Sequence, residues 1–344
     1  MLDDLKMIHS RDAHDALGIV EKQSKQLQHT FDVSGVENKD IENIVYAGMG
    51  GSALAAHISK IWPGYDRPFE IVRDYDLPGY VTQRTLCIVA SYSGNTEETL
   101  SALRQAEDKG ARIVVIAGGG KLTEIAREKG YPLAVLPKTE QPRYAVLYNL
   151  KAILDILDAA GIVSLAELQP ELDSAMSLLD TSVAAWKPEI PTANNPAKQV
   201  AQELMGRSLV VYSGPLLAPA AYKWKISFNE NAKQVAWLNQ FPEFNHNEFI
   251  GWSKQPVDKP YAVIDLRSNL EHPRVQKRFE VSEWLLSGMR PAPIIVNAKG
   301  DTLAGQLFWT LAFGDFVSIY LGLLNGLDPA PVELVEKFKK VMDE

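Results

Sequence analysis

A β-strand, a glycine-rich turn and the start of a helix follow one another in residues 43–52, NIVYAGMGGS. The alanines and Leu54 after this stretch continue a helical pattern to about Trp62. A strand that leads through glycines into a helix exposes backbone N–H groups at the positive end of the helix dipole. Because glycine has no Cβ, a ligand can approach this backbone closely. The stretch therefore predicts a turn that binds a phosphate or a carboxylate group.

Apolar strands and helices alternate around this turn and again in the second half of the chain. Strands are predicted at residues 43–47, 69–73, 85–90, 112–117, 133–136, 208–212, 234–238, 261–266 and 293–297. Helices are predicted within residues 3–30 and at residues 52–62, 96–109, 121–129, 143–186, 216–228, 272–287, 302–324 and 332–342. Short apolar strands separated by helices form parallel sheets covered on both faces, so the predicted fold class is α/β with two related αβα layers.

The predicted organisation of the chain has four parts. Residues 1–40 form an N-terminal helical segment, and residues 41–160 form the first αβα subdomain. Residues 161–195 form a helical connector that ends in a linker rich in proline and asparagine, and residues 196–344 form the second αβα subdomain with C-terminal helices.

The composition of the 344-residue chain is that of an ordinary globular protein, with 46% hydrophobic and 23% charged residues. The net charge of −8 argues against a nucleic-acid-binding protein, which presents a basic face. The chain starts without a basic and apolar leader, and no run of 18 apolar residues follows, so we expect a cytoplasmic protein without a membrane partner. The single cysteine, Cys87, lies in an apolar predicted strand and is expected to be a buried structural thiol.

A second polar turn, SYSGNT at residues 91–96, follows the third predicted strand. The hydroxyls of Ser91, Ser93 and Thr96, together with the N–H groups of the next helix, suit a terminal phosphate dianion. The alternative is a hydroxyl-rich turn that only caps the helix, because serine and threonine cap helices routinely.

The first turn also fits another ligand class. Residues 48–53 match the G-x-G-x-x-G/A dinucleotide fingerprint, and Asp74 follows Gly48 at a distance of 26 residues, which is somewhat long for that motif. Two polar turns at the carboxyl edge of one sheet favour a phosphorylated small molecule instead, since ligands of parallel sheets bind at that edge.

With both turns, AGMGGS and SYSGNT, the chain resembles the sugar isomerase (SIS) fold and, within it, the bifunctional phosphoglucose/phosphomannose isomerase family. The resemblance runs from about residue 40 to the C-terminus. It implies two flavodoxin-like αβα subdomains with parallel sheets, a phosphate held by the first of them, and a homodimer with active sites at its interface. It also implies substrate-binding roles for six residues of the two turns, namely Gly50, Gly51, Ser52, Ser91, Ser93 and Thr96.

The family's reaction converts a 6-phosphorylated aldohexose to the ketose, which requires ring opening, proton transfer between C2 and C1, and stabilisation of an enediolate. The match of residues 229–232, NENA, to a family motif implies that Glu230 is the base, although a bare glutamate here is more often surface charge. The match of residues 245–248, NHNE, implies that His246 opens the ring and reaches the neighbouring subunit's site. Sequence alone favours an exposed position for this histidine and predicts Asn245 as the cap of a helix at residues 246–252.

Two cationic residues complete the set that the resemblance implies. Arg143, which follows Pro142, would stabilise the enediolate, although an arginine at a helix start normally faces solvent. Lys339 in the C-terminal helix would assist ring opening, although it sits beside Lys340, so the register of this match is open by one residue.

We therefore expect a cofactor-free isomerase of glycolysis and gluconeogenesis that acts on glucose 6-phosphate. Mannose 6-phosphate is expected as a second substrate, although several relatives carry a threonine near the C-terminal helix and residues 328–332 contain none. No metal is expected, because the six histidines are scattered without ligand spacing. The alternatives are a phosphosugar-binding regulator that keeps the fold without chemistry, and an oxidoreductase that binds a dinucleotide at the Gly48 turn.

Overall fold

The computed structural model describes residues 1–36, 40–254 and 260–342. Its strands are β1 Asn43–Gly48, β2 Phe69–Val72, β3 Thr85–Ser91, β4 Arg112–Ala117, β5 Leu133–Val135, β6 Ser208–Ser213, β7 Ala236–Gln240, β8 Tyr261–Arg267 and β9 Ile294–Asn297. Its α-helices are α1 Leu5–Arg11, α2 Ala16–Glu21, α3 Gly50–Ile61, α4 Glu97–Asp108, α5 Gly120–Lys129, α6 Val146–Ala159, α7 Leu165–Ala184, α8 Pro196–Leu204, α9 Ala218–Asn231, α10 Glu248–Gly251, α11 Pro273–Leu285, α12 Leu303–Leu324 and α13 Glu333–Met342. Short 3₁₀ turns occur at Gln23–Gln28, Pro142–Tyr144, Thr192–Asn194, Glu243–His246 and Trp252–Lys254.

The chain divides into two compact units. One comprises residues 22–176, and the other comprises residues 1–21 together with residues 177–344. Each unit contains one of the two sheets, as the alternation of strands and helices predicts. The subdomain limits predicted at residues 41–160 and 196–344 stay predictions.

In the unit of residues 22–176, the five strands are parallel and run in the order β2-β1-β3-β4-β5. Most of their apolar side chains are buried, because helices cover the sheet. The central strand β3 is buried along its whole length, whereas the edge strands β2 and β5 are partly exposed. Cys87, in the middle of β3, is fully buried as predicted, and burial raises the pKa of its thiol to about 12.

In the unit that contains residues 177–344, four parallel strands run in the order β7-β6-β8-β9. The central helix of this unit, α12, is buried at every position from Ala304 to Leu323. By length and composition alone α12 could cross a membrane, but 94% of its most apolar window is buried within the protein, as in a core helix. Because polar residues interrupt the apolar residues of α12, this helix contains no uninterrupted run of 18 apolar residues.

One helix prediction is wrong in its extent. Residues 143–186 are not wholly helical, because α6 ends at Ala159 and α7 begins at Leu165. Gly161 between them adopts a φ of 63°, a left-handed conformation that ends a helix and that glycine adopts without strain.

Candidate active site

The two predicted anion-binding turns leave neighbouring strands at the same sheet edge. β1 pairs with β3 so that Gly48 lies opposite Ala90, and the order of strands reverses between these two strands. Chain connections therefore diverge on either side of this point and leave a crevice beyond the carboxyl ends, where parallel α/β sheets bind their ligands. The glycine turn follows β1, and the hydroxyl turn follows β3.

The glycine turn lies beside the predicted cation Arg143. A Cβ on Gly51 would lie 3.2 Å from the carbonyl oxygen of Pro142 and 3.4 Å from Cα of Arg143, so the backbones pack closely there. Gly50 has a φ of +50°, and a Cβ built on it would meet open space. Ser52 is buried, and its carbonyl oxygen accepts a hydrogen bond of 2.9 Å from the hydroxyl of Tyr46, which holds the first turn of α3 to β1.

The hydroxyl turn forms a connected cluster. The Oγ of Ser91 lies 2.7 Å from Oγ1 of Thr96 and 3.4 Å from Oγ of Ser93. The backbone N–H of Gly94 donates to the Ser91 hydroxyl at 3.1 Å. Gly94 has a φ of +71°, and a Cβ there would fall 1.8 Å from the carbonyl oxygen of Gly119, so only glycine fits where this turn packs on the β4–α5 connection.

The helices that follow the two turns, α3 and α4, begin without a side-chain cap from their N-cap residue. Met49, the N-cap residue of α3, makes no capping hydrogen bond, and the Thr96 hydroxyl lies against Ser91 instead of capping α4. Elsewhere in the chain, Asn195 and Thr302 cap their helices with side-chain oxygens. The first N–H groups of a helix need an outside acceptor, so α3 and α4 offer donors to a bound anion. The alternative that Thr96 serves only as a cap is therefore not what the geometry favours.

Arg143 is buried, with only 2% of its surface exposed, which differs from the solvent-facing position usual for an arginine at a helix start. It lies in the 3₁₀ turn Pro142–Tyr144, and its guanidinium carbon is 4.7 Å from the centroid of the Tyr144 ring. Stacking on an aromatic face fixes the direction of a guanidinium that would otherwise be mobile. The buried cation therefore has a defined place next to the glycine turn.

Glu230 is the penultimate residue of α9, in the other unit, and is half-buried. The asparagines on both sides of it are tied to their surroundings. The Oδ1 of Asn229 accepts a hydrogen bond of 3.0 Å from the N–H of Ala236, and Nδ2 of Asn231 donates to Ser318 Oγ at 2.8 Å. The glutamate between them is consequently held at a fixed position on the helix end.

A buried ion pair fixes α9 against α12. Nζ of Lys223 donates to Oδ1 of Asp315, and Oγ of Ser227 donates to the same oxygen at 2.9 Å. The two charged side chains are 2% and 1% exposed. Such a pair in a dry helix interface specifies which residues face each other, because any other register leaves a charge without its partner. These residues were not predicted from the sequence, although an aspartate inside an almost wholly apolar α12 is a signal of a buried polar partner.

His246 ends the 3₁₀ turn Glu243–His246 and is exposed. The cap prediction for this segment is wrong: the helix α10 begins at Glu248, and its N-cap is Asn247, whose Oδ1 accepts from the N–H of Glu248 at 2.6 Å. Asn245 instead bonds to the following helix, α11, through Ser282.

Lys339 lies on α13, where every residue is exposed, and its Nζ donates to Oε1 of Glu336 at 2.8 Å. The same helix exposes apolar side chains, with 80% of Leu334 and 63% of Phe338 accessible. The role of Lys339, and its register relative to Lys340, stay predictions.

The structure thus gathers seven predicted site residues at one edge of the five-stranded sheet: Gly50, Gly51, Ser52, Ser91, Ser93, Thr96 and Arg143. The other three, Glu230, His246 and Lys339, belong to the unit with the four-stranded sheet. Within residues 1–36, 40–254 and 260–342, no group of three or more His, Cys, Asp or Glu side chains is arranged to hold a metal ion.

Both halves of the chain match known protein families. Residues 39–163 match the SIS domain, and residues 193–342 match the bacterial phospho-glucose isomerase C-terminal SIS domain. A solved structure of a glucose-6-phosphate isomerase like protein from Thermus thermophilus has the same fold, with a TM-score of 0.66 at 20% identity over 99% of both chains.

Curated relatives span nearly the whole chain. The bifunctional phosphoglucose/phosphomannose isomerase of Caldicellulosiruptor bescii is 31% identical over 330 residues, which cover 93% of this chain and 96% of the relative. The D-glucosamine-6-phosphate 4-epimerase of Sulfolobus acidocaldarius is 34% identical over a shorter stretch, 68% of this chain and 71% of the relative. On the length and identity of these matches, this chain belongs to the bifunctional phosphoglucose/phosphomannose isomerase family.

Proposed function

We propose that the protein is a cofactor-free aldose–ketose isomerase that interconverts glucose 6-phosphate and fructose 6-phosphate. The observation that carries the proposal is the pair of turns beyond β1 and β3, where two uncapped helix ends, a hydroxyl cluster and a buried arginine lie at one sheet edge. Relatives that share most of the chain bear the name of this activity.

In the proposed complex the phosphate group of the sugar binds to the hydroxyls of Ser91, Ser93 and Thr96 and to backbone N–H groups of the glycine turn. A dianion accepts several hydrogen bonds at once, and bonds to a charged acceptor are stronger than bonds between neutral groups. The N-terminal ends of α3 and α4 add the positive ends of two helix dipoles. The same donors would serve any 6-phosphorylated hexose, so they fix the phosphate without selecting the sugar.

The chemistry at the other end of the sugar is assigned to Glu230, His246, Lys339 and Arg143. Imidazole and ammonium groups move the proton between the ring oxygen and the C1 hydroxyl as the hemiacetal opens. The carboxylate of Glu230 then removes the proton from C2, and the electron pair forms the C1–C2 double bond of an enediolate with its negative charge on O1. Arg143 stabilises this charge. The carboxylic acid returns the proton to C1, and the proton of O2 is transferred to O1, which leaves the C1 hydroxyl and the C2 ketone of fructose 6-phosphate.

Mannose 6-phosphate is the proposed second substrate. It differs from glucose 6-phosphate only at C2, and that carbon becomes planar in the enediol, so both aldoses pass through the same intermediate. Acceptance of both then depends on space around the C1–C2 bond, and residues 328–332, DPAPV, lack the threonine expected for that role.

We also propose that the protein acts in the cytoplasm as a homodimer with shared active sites. The chain's single cysteine is buried, which suits a compartment where disulfides do not form. The net charge of −8 speaks against a nucleic-acid partner, and the long apolar helix α12 is buried within its own unit. Sedimentation of the purified protein tests the dimer directly.

A coupled assay with the chain and its Glu230→Gln variant tests the proposed function. Glucose 6-phosphate and mannose 6-phosphate are each supplied, with glucosamine 6-phosphate included because one relative acts as an epimerase on it. We expect turnover of the first two substrates by the native chain, and loss of nearly all turnover in Glu230→Gln with unchanged binding of glucitol 6-phosphate, an open-chain analogue. Glu203→Gln, which changes an exposed glutamate on α8, is the matched control. Near-normal kcat in Glu230→Gln would refute the assignment of the base.

A further inference from the structure

The other three residues of the motif NHNE, namely Asn245, Asn247 and Glu248, hold the segment that carries His246 in place. Nδ2 of Asn245 donates to Ser282 Oγ at 2.9 Å, and its Oδ1 accepts from NH1 of Arg278 at 3.0 Å. These bonds tie the residue before His246 to α11. The residue after it, Asn247, caps α10. The exposed imidazole therefore extends from a backbone that is fixed on both sides.

Glu248, the last residue of the motif, binds this segment to the sheet. Its Oε1 accepts a hydrogen bond from the hydroxyl of Tyr212 on β6, and its Oε2 accepts one of 2.7 Å from Nδ2 of Asn239 on β7. One carboxylate thus joins the start of α10 to two neighbouring strands. Its two oxygens have different donors, so a shift of the segment breaks at least one hydrogen bond.

The partner of Glu248 is itself immobile. Tyr212 is fully buried, and its hydroxyl accepts a hydrogen bond of 2.9 Å from Nε1 of Trp252. Its ring packs 4.6 Å from the ring of Phe244, which lies two residues before His246. The guanidinium of Arg290 lies 5.4 Å from the Tyr212 ring centroid and supplies positive charge near the carboxylate's donor. Buried polar networks of this kind favour a single geometry, because each member loses a partner when one member moves.

We propose that Glu248, through Tyr212 and Asn239, is the positioning residue for His246 in ring opening. This inference rests on the proposed function, in which His246 transfers the proton of the ring oxygen. Glu248 acts on the backbone of residues 245–248, and its carboxylate is committed to donors on the sheet. A general acid misplaced by about 1 Å loses a large part of its effect, on the order of 100-fold in rate, so the loss of these two bonds should slow ring opening more than it weakens binding.

Interconversion of the α and β anomers of glucose 6-phosphate isolates the ring-opening step. Exchange NMR measures it in the Glu230→Gln background, where isomerisation does not compete. We expect Glu248→Gln and Tyr212→Phe each to slow enzyme-catalysed anomer exchange about tenfold or more. We expect the affinity for glucitol 6-phosphate, which has no ring to open, to stay unchanged. Glu280→Gln, an exposed glutamate on α11, is the control and should leave both measurements unchanged.

The outcomes separate this inference from the proposed function. If His246→Ala abolishes anomer exchange while Glu248→Gln and Tyr212→Phe keep it, the positioning role is refuted and the proposed function stands. If His246→Ala keeps anomer exchange, the role of His246 is itself refuted, and the positioning role is refuted with it. If the Glu248 and Tyr212 variants lose glucitol 6-phosphate affinity in the same proportion as exchange, these residues serve stability alone, and the inference is also refuted. Tyr212→Phe keeps the buried ring, so it supplies the answer if Glu248→Gln does not fold.

Discussion

Replacing Thr96 by valine removes one hydroxyl from the turn after β3 and nearly preserves the shape of the side chain. The Thr96 hydroxyl lies 2.7 Å from Ser91 Oγ and makes no capping bond to α4. Its loss therefore takes a donor from the proposed phosphate site and leaves the hydrogen bonds of the helix intact. Affinity and stability should respond very differently.

The expected size follows from the charge of the ligand. A hydrogen bond to a charged group contributes about 1.5–3 kcal/mol, which corresponds to about a 10- to 150-fold weaker affinity for a phosphorylated sugar. Substituting a capping threonine costs about 0.5–2 kcal/mol because a helix N–H loses its acceptor. Thr96 is not such an acceptor, so we expect the free energy of unfolding to fall by less than about 1 kcal/mol.

Thr302→Val is the matched control with the opposite expectation. Thr302 is the N-cap of α12, and its Oγ1 accepts from the N–H of Gly305 at 3.1 Å. Its substitution should lower the free energy of unfolding by about 1 kcal/mol and leave affinity unchanged. Calorimetric titration with glucitol 6-phosphate gives the affinities, and urea denaturation gives the stabilities. If Thr96→Val behaves like Thr302→Val, with lost stability and full affinity, the turn after β3 is a cap and the phosphate assignment is wrong.

Three further predictions concern the scaffold around the site. Asp315→Asn leaves the buried ammonium of Lys223 without its counter-charge and should lower the free energy of unfolding, measured by urea denaturation, by about 3–5 kcal/mol. The double variant Asp315→Leu with Lys223→Met should recover most of this loss, and a small loss in the single variant would contradict a dry ion pair. Burial lowers the pKa of His57 from 6.5 to about 4, so the unfolded chain binds a proton at this histidine more readily than the folded chain, and the free energy of unfolding should keep its full value above pH 6.5 and fall by about 2 kcal/mol by pH 5. His57→Gln should remove this pH dependence, and an identical pH profile in the variant would exclude His57 as its source. In Gly322→Ala the new Cβ would lie 2.5 Å from the carbonyl oxygen of Asn231, next to the proposed base, so we expect about 1–3 kcal/mol of destabilisation and a lower kcat with little change in KM. An unaltered kcat would show that the end of α9 tolerates being displaced by this Cβ.

The centre of the first sheet could be predicted because its strands β1, β3 and β4 are buried on both faces. Each then appears in the sequence as a short continuous apolar run, and the predicted limits of β1 and β3 differ from the observed ones by one residue. The break between α6 and α7 was missed because apolar residues of helical spacing continue on both sides of Gly161, and a single glycine inside such a pattern is ambiguous.

The turns of the site could also be predicted from the sequence, because the residues that form each turn are neighbours in sequence. The residues that hold the catalytic candidates in place could not be predicted in this way. Tyr212 and Glu248 are separated by 36 residues, and Lys223 and Asp315 by 92, so only the fold pairs them. The choice of Asn247 over Asn245 as helix cap depends on backbone angles that two asparagines around one histidine do not reveal.

The position of Cys87 makes this protein convenient for spectroscopy. Its thiol is fully buried in the middle of β3 and remains protonated at neutral pH, so maleimide reagents should not react with it. A cysteine introduced on the surface away from the proposed site, for instance in place of the exposed Glu203, would then be the sole reactive thiol for a fluorophore or a spin label. Cys87 therefore does not have to be removed from the core before an introduced cysteine is labelled.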